Sequence, residues 1–256
     1  MEHEKRLVQQ QFGKTAASYV ASRTHGDEAS LSQLIQMLHP QATWIGLDIA
    51  TGGGHLAGAL APHVTWMFAT DITPDMLAAA RGHLTKNGCT NVGYVVADAE
   101  QLPFLEDSFD VVTCRIAAHH FPNPKAFVAE VRRVLKPGGR FLLVDNVAPE
   151  DDDCAQFLNT FEKMRDISHV RCLKVSEWTG VFQEQGLTVV RQEQKRKTLE
   201  FEPWMERMAE SEEHRQAVEQ YLLQATEKQK QTFSIDVSEG RVSQFAMDEW
   251  AVVCEG

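Results

Sequence analysis

The stretch Leu47–Ala57, with the sequence LDIATGGGHLA, decides the fold of this chain. It continues an apolar run that begins at Trp44, breaks into consecutive glycines, and leads into residues 55–61, which have the composition of a helix. This order predicts a strand, a tight turn and a helix. Glycines allow the backbone of such a turn to approach a ligand closely, and the start of the helix presents unpaired N–H groups to that ligand. A cofactor with an adenosine half is the expected ligand.

Two aspartates make the prediction more specific than the glycines do. Gly52, Gly54 and Ala57 also match the Gly-x-Gly-x-x-Gly/Ala pattern of a dinucleotide-binding turn, so the glycines alone leave the ligand open. Asp48 precedes the glycines at the carboxyl end of the first predicted strand, and Asp71 follows the second apolar run. Together the two acids predict a nucleoside site in which one carboxylate holds the ribose hydroxyls.

Apolar runs and helical segments alternate regularly through the first part of the chain. Strands are predicted at Trp44–Ile49, Trp66–Thr70, Gly93–Val96, Phe109–Cys114 and Phe141–Val147. Helices are predicted at His55–Ala61, Pro74–Lys86 and Lys125–Leu135. This βαβ series predicts an α/β fold, with a doubly wound and mostly parallel sheet covered by helices on both faces. Ligands of such sheets lie beyond the carboxyl ends of the strands, where Asp48, Asp71 and Asp98 follow successive strands.

The remaining segments predict a cover around this core. Apolar spacing indicates an amphipathic helix over Glu2–Ser22, which either shields the core or forms a lid, and a second helix over Asp27–Leu38. Later elements are predicted as a helix over Glu177–Gln185, a strand over Leu187–Arg191, a helical insertion in two pieces over Pro203–Lys230, and a hairpin of Phe233–Val237 and Phe245–Val253. With 256 residues and 43% hydrophobic content, one core is expected. The single domain 1–256 is divided into a helical cover (1–40), a cofactor-binding core (41–150), substrate-side helical elements (151–180 and 200–232) and a C-terminal hairpin (233–256).

Charge and cysteine content exclude several classes of function. The formal net charge of -11 disfavours a nucleic-acid partner, because no excess of positive charge is available for the phosphates. The five cysteines show no close pairing, so they predict free thiols in a reducing cytoplasm and neither disulfides nor a metal site. No signal peptide and no apolar run long enough to cross a bilayer is recognised. A cytoplasmic protein without a membrane span is expected.

Ordered motifs along the chain resemble those of a known family. They are Asp48-x-Ala50-x-Gly52-x-Gly54, Asp71, residues 97–104 (ADAEQLPF), Phe109-Asp110-x-Val112 and residues 135–139 (LKPGG). This set resembles class I S-adenosylmethionine-dependent methyltransferases, with the nearest match to the ubiquinone/menaquinone-biosynthesis type and its uncharacterised small-molecule relatives. The resemblance spans nearly the whole chain. It implies a Rossmann-like, seven-stranded sheet whose antiparallel last strand is inserted beside the fifth.

The resemblance also implies roles in the cofactor site. Gly52 and Gly54 would let the backbone reach the methionine part of the cofactor, Asp48 would lie near its amino group, and Asp71 would hold its ribose hydroxyls. The other implied cofactor contacts are Ile72 and Met76 beside the adenine, Asp98 and Ala99 at its edge, Arg115 at the methionine end, and Tyr19 in a motif of a narrower subgroup. Ala50 stands where the pattern usually has glycine, and we expect it to be tolerated if its φ stays negative.

Candidate catalytic and substrate residues follow the core strands. Methyl transfer displaces a sulfonium in line, so the protein mainly positions donor and acceptor, and a base is needed only when the nucleophile arrives protonated. His119 and His120 are the candidate bases, because histidine titrates near neutrality; either could instead cap or pack under the following helix. The subgroup resemblance adds Arg165, His169 and Arg171 of the RDISHVR stretch as candidate substrate residues. Trp204 is a further candidate, because it belongs to an apolar edge of the late insertion that could cover the pocket.

The expected function is transfer of a methyl group from S-adenosylmethionine to oxygen or carbon of a small, apolar acceptor, with S-adenosylhomocysteine as product. Residues 114–118 read CRIAA instead of the Asn/Asp-Pro-Pro-aromatic run of enzymes that methylate exocyclic amines of bases, which argues against nucleic-acid substrates. An NAD(P)-dependent oxidoreductase remains as an alternative, as does a non-enzymatic cofactor-binding protein of the same fold. Monomer and homodimer are both compatible with the sequence.

Overall fold

A mixed sheet runs through the centre of the molecule and positions every candidate site residue of the core. The computed structural model describes residues 2–20, 27–206, 208–209 and 211–256, and for residues 14–20 it describes the backbone only. The strands are β1 (Ile45–Ile49), β2 (Trp66–Asp71), β3 (Val92–Val96), β4 (Phe109–Arg115), β5 (Leu135–Val147), β6 (Thr188–Glu200), β7 (Asp236–Ser238) and β8 (Arg241–Glu255). The helices are α1 (Glu2–Val20), α2 (Glu28–Leu38), α3 (His55–Leu60), α4 (Pro74–Lys86), α5 (Pro124–Val134), α6 (Asp152–Arg165), α7 (Val175–Glu184), α8 (Phe201–Glu206), α9 (Glu212–Leu223) and α10 (Glu227–Phe233).

The order of the strands confirms the predicted doubly wound fold. Their order in the eight-stranded sheet is β3-β2-β1-β4-β5-β8-β6, and β7 pairs with β8 outside this path. The first five strands are parallel, whereas β8 runs antiparallel to both β5 and β6. β8 is therefore the antiparallel strand predicted beside the fifth. The order reverses between β1 and β4, which is where ligands bind in open sheets of this kind.

The central strands are fixed by burial on both faces. Val111 and Val112 of β4 point to opposite faces and are both fully buried, as is Leu47 of the adjacent β1. Burying a side chain of the size of leucine stabilises the fold by about 1.5–3 kcal/mol, so these strands are strongly held in place. The loops that follow them are held on a rigid base.

Several element boundaries differ from the predicted ones. β5 begins at Leu135 and β8 at Arg241, ahead of the predicted starts at Phe141 and Phe245. β6 extends to Glu200, well beyond Arg191, because its polar second half pairs residue by residue with β8. Phe233 ends α10 instead of starting a strand, and its ring packs 5.5 Å from that of Phe157 in the core beneath the insertion. Within the described residues the insertion forms three helices, α8 to α10, where two were predicted.

Two kinds of feature are absent from the residues that the structure describes. Among them, no helix is both long and apolar enough to cross a membrane. No group of three or more histidine, cysteine, aspartate or glutamate side chains is arranged to hold a metal ion in the same part of the chain.

Candidate active site

A cleft of about 1020 Å³ lies at the carboxyl ends of β1 and β4, where the strand order reverses. Most of the predicted cofactor residues line it together: Asp48, Ala50, Gly52, Asp71, Ile72, Met76, Asp98, Ala99 and Arg115. Gly54 is outside the lining and the side chain of Tyr19 lies outside the described residues. We call this space the cofactor cleft.

The glycine turn combines left-handed backbone with close packing. Gly52 and Gly54 have φ values of 54° and 81°, a region that glycine adopts at little cost. A Cβ atom on Gly54 would lie 3.1 Å from Cδ1 of Leu84, so this glycine lets α3 and α4 approach each other. Gly52 faces the cleft, and Gly54 supports the turn from behind.

The condition for tolerating Ala50, a negative φ, is not met. Its φ is 52°, in the left-handed region, because the chain must turn sharply between β1 and the glycines. An alanine pays a steric penalty there that glycine does not. The resemblance places glycine at this position, and the backbone gives the physical reason.

We therefore expect Ala50→Gly to stabilise the fold. Relief of the strained backbone favours the variant, while the greater freedom of glycine in the unfolded chain opposes it, and the net gain should be about 0.5 kcal/mol. Urea unfolding of both proteins measures this difference. Gly82→Ala on α4 is the control. A Cβ at this position would meet nothing within 4 Å, so the variant measures the effect of exchanging glycine and alanine in an open, helical environment. Unchanged or lower stability of Ala50→Gly would contradict the strain argument.

Asp48 and Asp71 are both buried at the base of the cleft. Asp48 accepts hydrogen bonds from the hydroxyls of Thr51 and Thr113, each at 2.6 Å, and burial raises the pKa of its carboxyl to about 6. Asp71 accepts from the backbone N–H groups of Gly52 at 3.1 Å and Thr73 at 2.9 Å, and burial raises its pKa. The carboxylate of Asp71 therefore fixes the glycine turn from the neighbouring strand.

Asp98 connects the far end of the cleft to the N-terminal helix. Its carboxylate accepts hydrogen bonds from Glu100 N at 2.9 Å and from Lys5 Nζ at 2.6 Å. Lys5, Val8 and Phe12 of α1 line the cleft. Lys5 and Val8 were not predicted as site residues from the sequence, although their spacing places them on one face of a helix with Phe12.

A second chamber adjoins the cofactor cleft beneath α6 and β6. It encloses about 1440 Å³, and four residues line both spaces: Phe12, Arg115, Ile116 and His120. Ile116 has a φ of 52°, which is strained for a β-branched residue. This strained turn after β4 lies at the boundary between the two spaces, and the two histidines follow it in the chain.

His119 is oriented by Asp145, the residue near the end of β5. Its Nδ1 lies 2.7 Å from Asp145 Oδ1, and its backbone N–H donates to Asp145 Oδ2 at 2.9 Å. Burial alone would lower the pKa of His119, but the carboxylate of Asp145 outweighs burial and raises it. His119 also lines the second chamber, so Nε2 is the ring nitrogen left to exchange a proton there.

His120 occupies a packing position. Its Nδ1 lies 3.1 Å from the backbone oxygen of Ser168, and its ring makes an edge contact with that of Phe12 at 5.1 Å. Burial, together with the adjacent charge of His119, lowers its pKa to about 4. Of the two candidate bases, His119 has the geometry and the basicity, and His120 stays neutral.

The predicted substrate residues separate into two groups. Arg165 lies over the ring of Trp204 at 4.4 Å and donates to its backbone oxygen, and both line the second chamber. His169 lines it as well, with Nε2 3.0 Å from Asn159 Oδ1 and a pKa that burial lowers to about 2. Arg171 instead pairs with Glu177 and lines an outer groove, which His169 also borders.

Known proteins resemble this chain over most of its length. Residues 47–143 match the family model described as a methyltransferase domain. The uncharacterized methyltransferase YcgJ of Bacillus subtilis is 35% identical over 228 residues, which cover 89% of this chain and 90% of the relative. This chain belongs to the methyltransferase family.

Solved structures and a second set of relatives agree with this assignment. The methyltransferase superimposes on a crystal structure from Bacillus halodurans, provisionally described as a methyltransferase, with a TM-score of 0.87, 43% identity and coverage of 89% of this chain and 98% of that one. The ubiquinone/menaquinone biosynthesis C-methyltransferase UbiE of Brucella canis is 38% identical over 109 residues, which is 40% of this chain and 39% of the relative. The similarity to UbiE is thus confined to part of the methyltransferase.

Several residues of the second chamber were not assigned from the sequence. Charged groups on its wall include Glu162, Asp166, Lys197 and Glu249. The chamber of this methyltransferase therefore has charged groups on its wall, whereas the sequence analysis predicted an apolar acceptor. These residues come from α6, β6, β8 and the segment between α6 and α7, so only the tertiary fold brings them together.

Proposed function

We propose that this methyltransferase transfers the methyl group of S-adenosylmethionine to an oxygen or a carbon of a small molecule. The observation that carries the proposal is the junction of the two spaces. The cofactor cleft, with Asp48 and Asp71 at its base, meets a second chamber that contains a histidine oriented by a carboxylate. Donor and acceptor have separate places with one shared boundary, as in-line displacement requires.

The side chains of the cleft fit an adenosine-containing cofactor. Asp71 supplies a buried carboxylate for hydroxyl groups, Ile72 and Met76 supply apolar faces for a base, and Asp98 supplies an acceptor for an exocyclic amine. Gly52 leaves the backbone accessible, with Met76 Cε 3.5 Å from where its Cβ would stand. When bound, S-adenosylmethionine supplies an electrophilic methyl group.

His119 would act as the base toward the acceptor. A neutral imidazole takes the proton of an acidic hydroxyl at Nε2, and Asp145 holds the Nδ1–H tautomer and stabilises the resulting imidazolium. A deprotonated phenol or enol carries negative charge on oxygen and, by resonance, on the carbon next to the one that bears the oxygen. Either atom can then accept the methyl group, so the proposal includes both.

We further propose a small acceptor and not a nucleic acid. The formal net charge of -11 opposes binding of a phosphate backbone, and the second chamber has the size of a small-molecule site. The polar wall of the chamber supports a hydroxylated acceptor over a purely apolar one.

Ligand-induced stabilisation tests the cofactor assignment. At a concentration a hundredfold above its Kd, S-adenosylhomocysteine should raise the free energy of unfolding by about 2.7 kcal/mol, seen as a higher Tm, whereas NAD should leave Tm unchanged. Stabilisation by NAD without stabilisation by S-adenosylhomocysteine would support the oxidoreductase alternative. Release of S-adenosylhomocysteine from S-adenosylmethionine with a panel of phenols and enols then separates an enzyme from a non-enzymatic binding protein.

A further inference from the structure

The N-terminal helix α1 is joined to the cofactor cleft by one lysine and two carboxylates. Lys5 Nζ lies 2.6 Å from Asp98 Oδ2 and 2.6 Å from Glu100 Oε2. The three side chains are 19%, 30% and 6% exposed, so water screens this bridge less than it screens an ion pair on the open surface. We call these three residues the Lys5 bridge.

The acidic side of the bridge belongs to the core. Glu100 Oε1 accepts a hydrogen bond from the backbone N–H of Asn123 at 2.6 Å, and Asn123 caps the start of α5. Asp98 Oδ1 accepts from the N–H of Glu100. Because both carboxylates are fixed in this way, Lys5 is the partner that would leave if α1 moved.

Other contacts of α1 lie along the same cleft. Gln9 Nε2 donates to the backbone oxygen of Ile72 at 3.0 Å, which lies in the loop that lines the cleft after β2. Phe12 packs with Met76 and Met208 and lines both the cleft and the second chamber. From Lys5 to Phe12, α1 therefore forms one wall of the space assigned to the cofactor.

We propose that α1 is part of the cofactor site and that Lys5, by bridging Asp98 and Glu100, retains the adenosine end of the bound cofactor. The inference rests on the proposed function and adds to it a residue outside the family motifs. Release of the ligand would require α1 to separate from the core, and this separation would break both ion pairs and leave two carboxylates facing each other.

Dissociation kinetics of S-adenosylhomocysteine test the inference. Labelled ligand is bound to the full chain and chased with excess unlabelled ligand, and Lys5→Met is compared with the wild type. Methionine keeps the length and helix propensity of the lysine and removes its charge. We expect the dissociation rate constant to increase about 5- to 20-fold, because the variant lacks two charge-assisted hydrogen bonds.

Two control variants separate the bridge from general effects on the helix. Arg6→Met removes the neighbouring cation, whose side chain is 70% exposed and forms a long ion pair of 3.8 Å with Glu2. This variant should leave the dissociation rate constant within about twofold of the wild type. Glu100→Gln keeps an oxygen for the N–H of Asn123 while it removes the charge. When it is combined with Lys5→Met, the two effects on the dissociation rate should be less than additive, because both variants remove the same ion pair. The acceleration should also occur with 5′-methylthioadenosine, which lacks the amino-acid end.

The outcomes are distinguishable. A rate for Lys5→Met within twofold of the wild type, or an equal acceleration in Arg6→Met, overturns the role of the bridge and leaves the proposed function intact. Failure of the wild type to bind S-adenosylhomocysteine overturns both. Equal Tm values for the ligand-free wild type and Lys5→Met establish that faster release does not come from a poorly folded protein.

Discussion

His119→Gln is expected to lower kcat by about 10²- to 10⁴-fold with a hydroxylated acceptor, while the affinity for S-adenosylhomocysteine stays close to that of the wild type. Glutamine is similar in size to histidine and can still donate a hydrogen bond to Asp145, but it cannot take up a proton. The ring of His119 lines the second chamber and not the cofactor cleft, which is why binding of the cofactor product should not change. Steady-state rates and calorimetric binding of both proteins measure the two quantities.

The pH profile distinguishes a base from a merely structural histidine. Asp145 raises the pKa of His119 above its ordinary value near 6.5, so His119 is protonated and inactive at low pH. The kcat/KM of the wild type should therefore rise with pH and level off above that pKa. Asp145→Asn removes the carboxylate that stabilises the imidazolium, so the inflection should move to lower pH while the maximal rate falls.

His120→Gln is the matched control for this experiment. His120 adjoins His119, with ring centroids 4.2 Å apart, but its pKa of about 4 makes it too weak a base to take up a proton near neutrality. We expect a loss in kcat of less than about tenfold and an unchanged inflection. An equal loss in both variants, or a pH profile of His119→Gln that keeps the wild-type inflection, would contradict a base at position 119.

The core of the fold was predictable because its signals are local. The apolar run before Asp48, the glycines after it and the alternation of later strands and helices are each visible within a few residues. The second half of β6 gave no such signal. Its side chains alternate between exposed and half-buried, and pairing with β8 holds it in the sheet. Phe233 was placed in a strand because an aromatic residue followed by Ile235 and Val237 favours one, whereas in the structure its ring fills the core beneath the insertion.

The cofactor cleft was predictable for the same reason, and the second chamber was not. Asp48 and Asp71 lie at the carboxyl ends of β1 and β2, and Asp98 follows β3, so the three acids must meet at one edge of the sheet. The contact of Arg165 with Trp204 joins α6 to α8, and no pattern in the sequence indicates that these helices meet. Arg171 shows the opposite limit, since the motif that contains it was recognised although its side chain points into the outer groove.

Asp71→Ala is expected to weaken binding of S-adenosylhomocysteine by about 1–3 kcal/mol, which corresponds to an increase in Kd of roughly 5- to 150-fold. Two losses contribute. The carboxylate proposed to accept hydrogen bonds from the ribose hydroxyls is gone, and the N–H groups of Gly52 and Thr73 lose the acceptor that fixes the glycine turn. Isothermal titration calorimetry measures Kd directly. Asp75→Ala removes an exposed carboxylate at the start of α4, outside the cleft lining, and should leave Kd unchanged.

A comparison of two nucleosides separates the contact to ribose from the support of the turn. The wild type should bind adenosine more tightly than 2′-deoxyadenosine, because only adenosine offers the second hydroxyl to the carboxylate of Asp71. In Asp71→Ala this preference should disappear, since neither nucleoside finds the acceptor. If the variant binds both more weakly and keeps the wild-type preference, the aspartate acts only on the glycine turn, and the ribose hydroxyls must be held by another group of the cleft. Loss of the preference in Asp71→Ala, with the preference intact in Asp75→Ala, assigns the ribose contact to this one carboxylate.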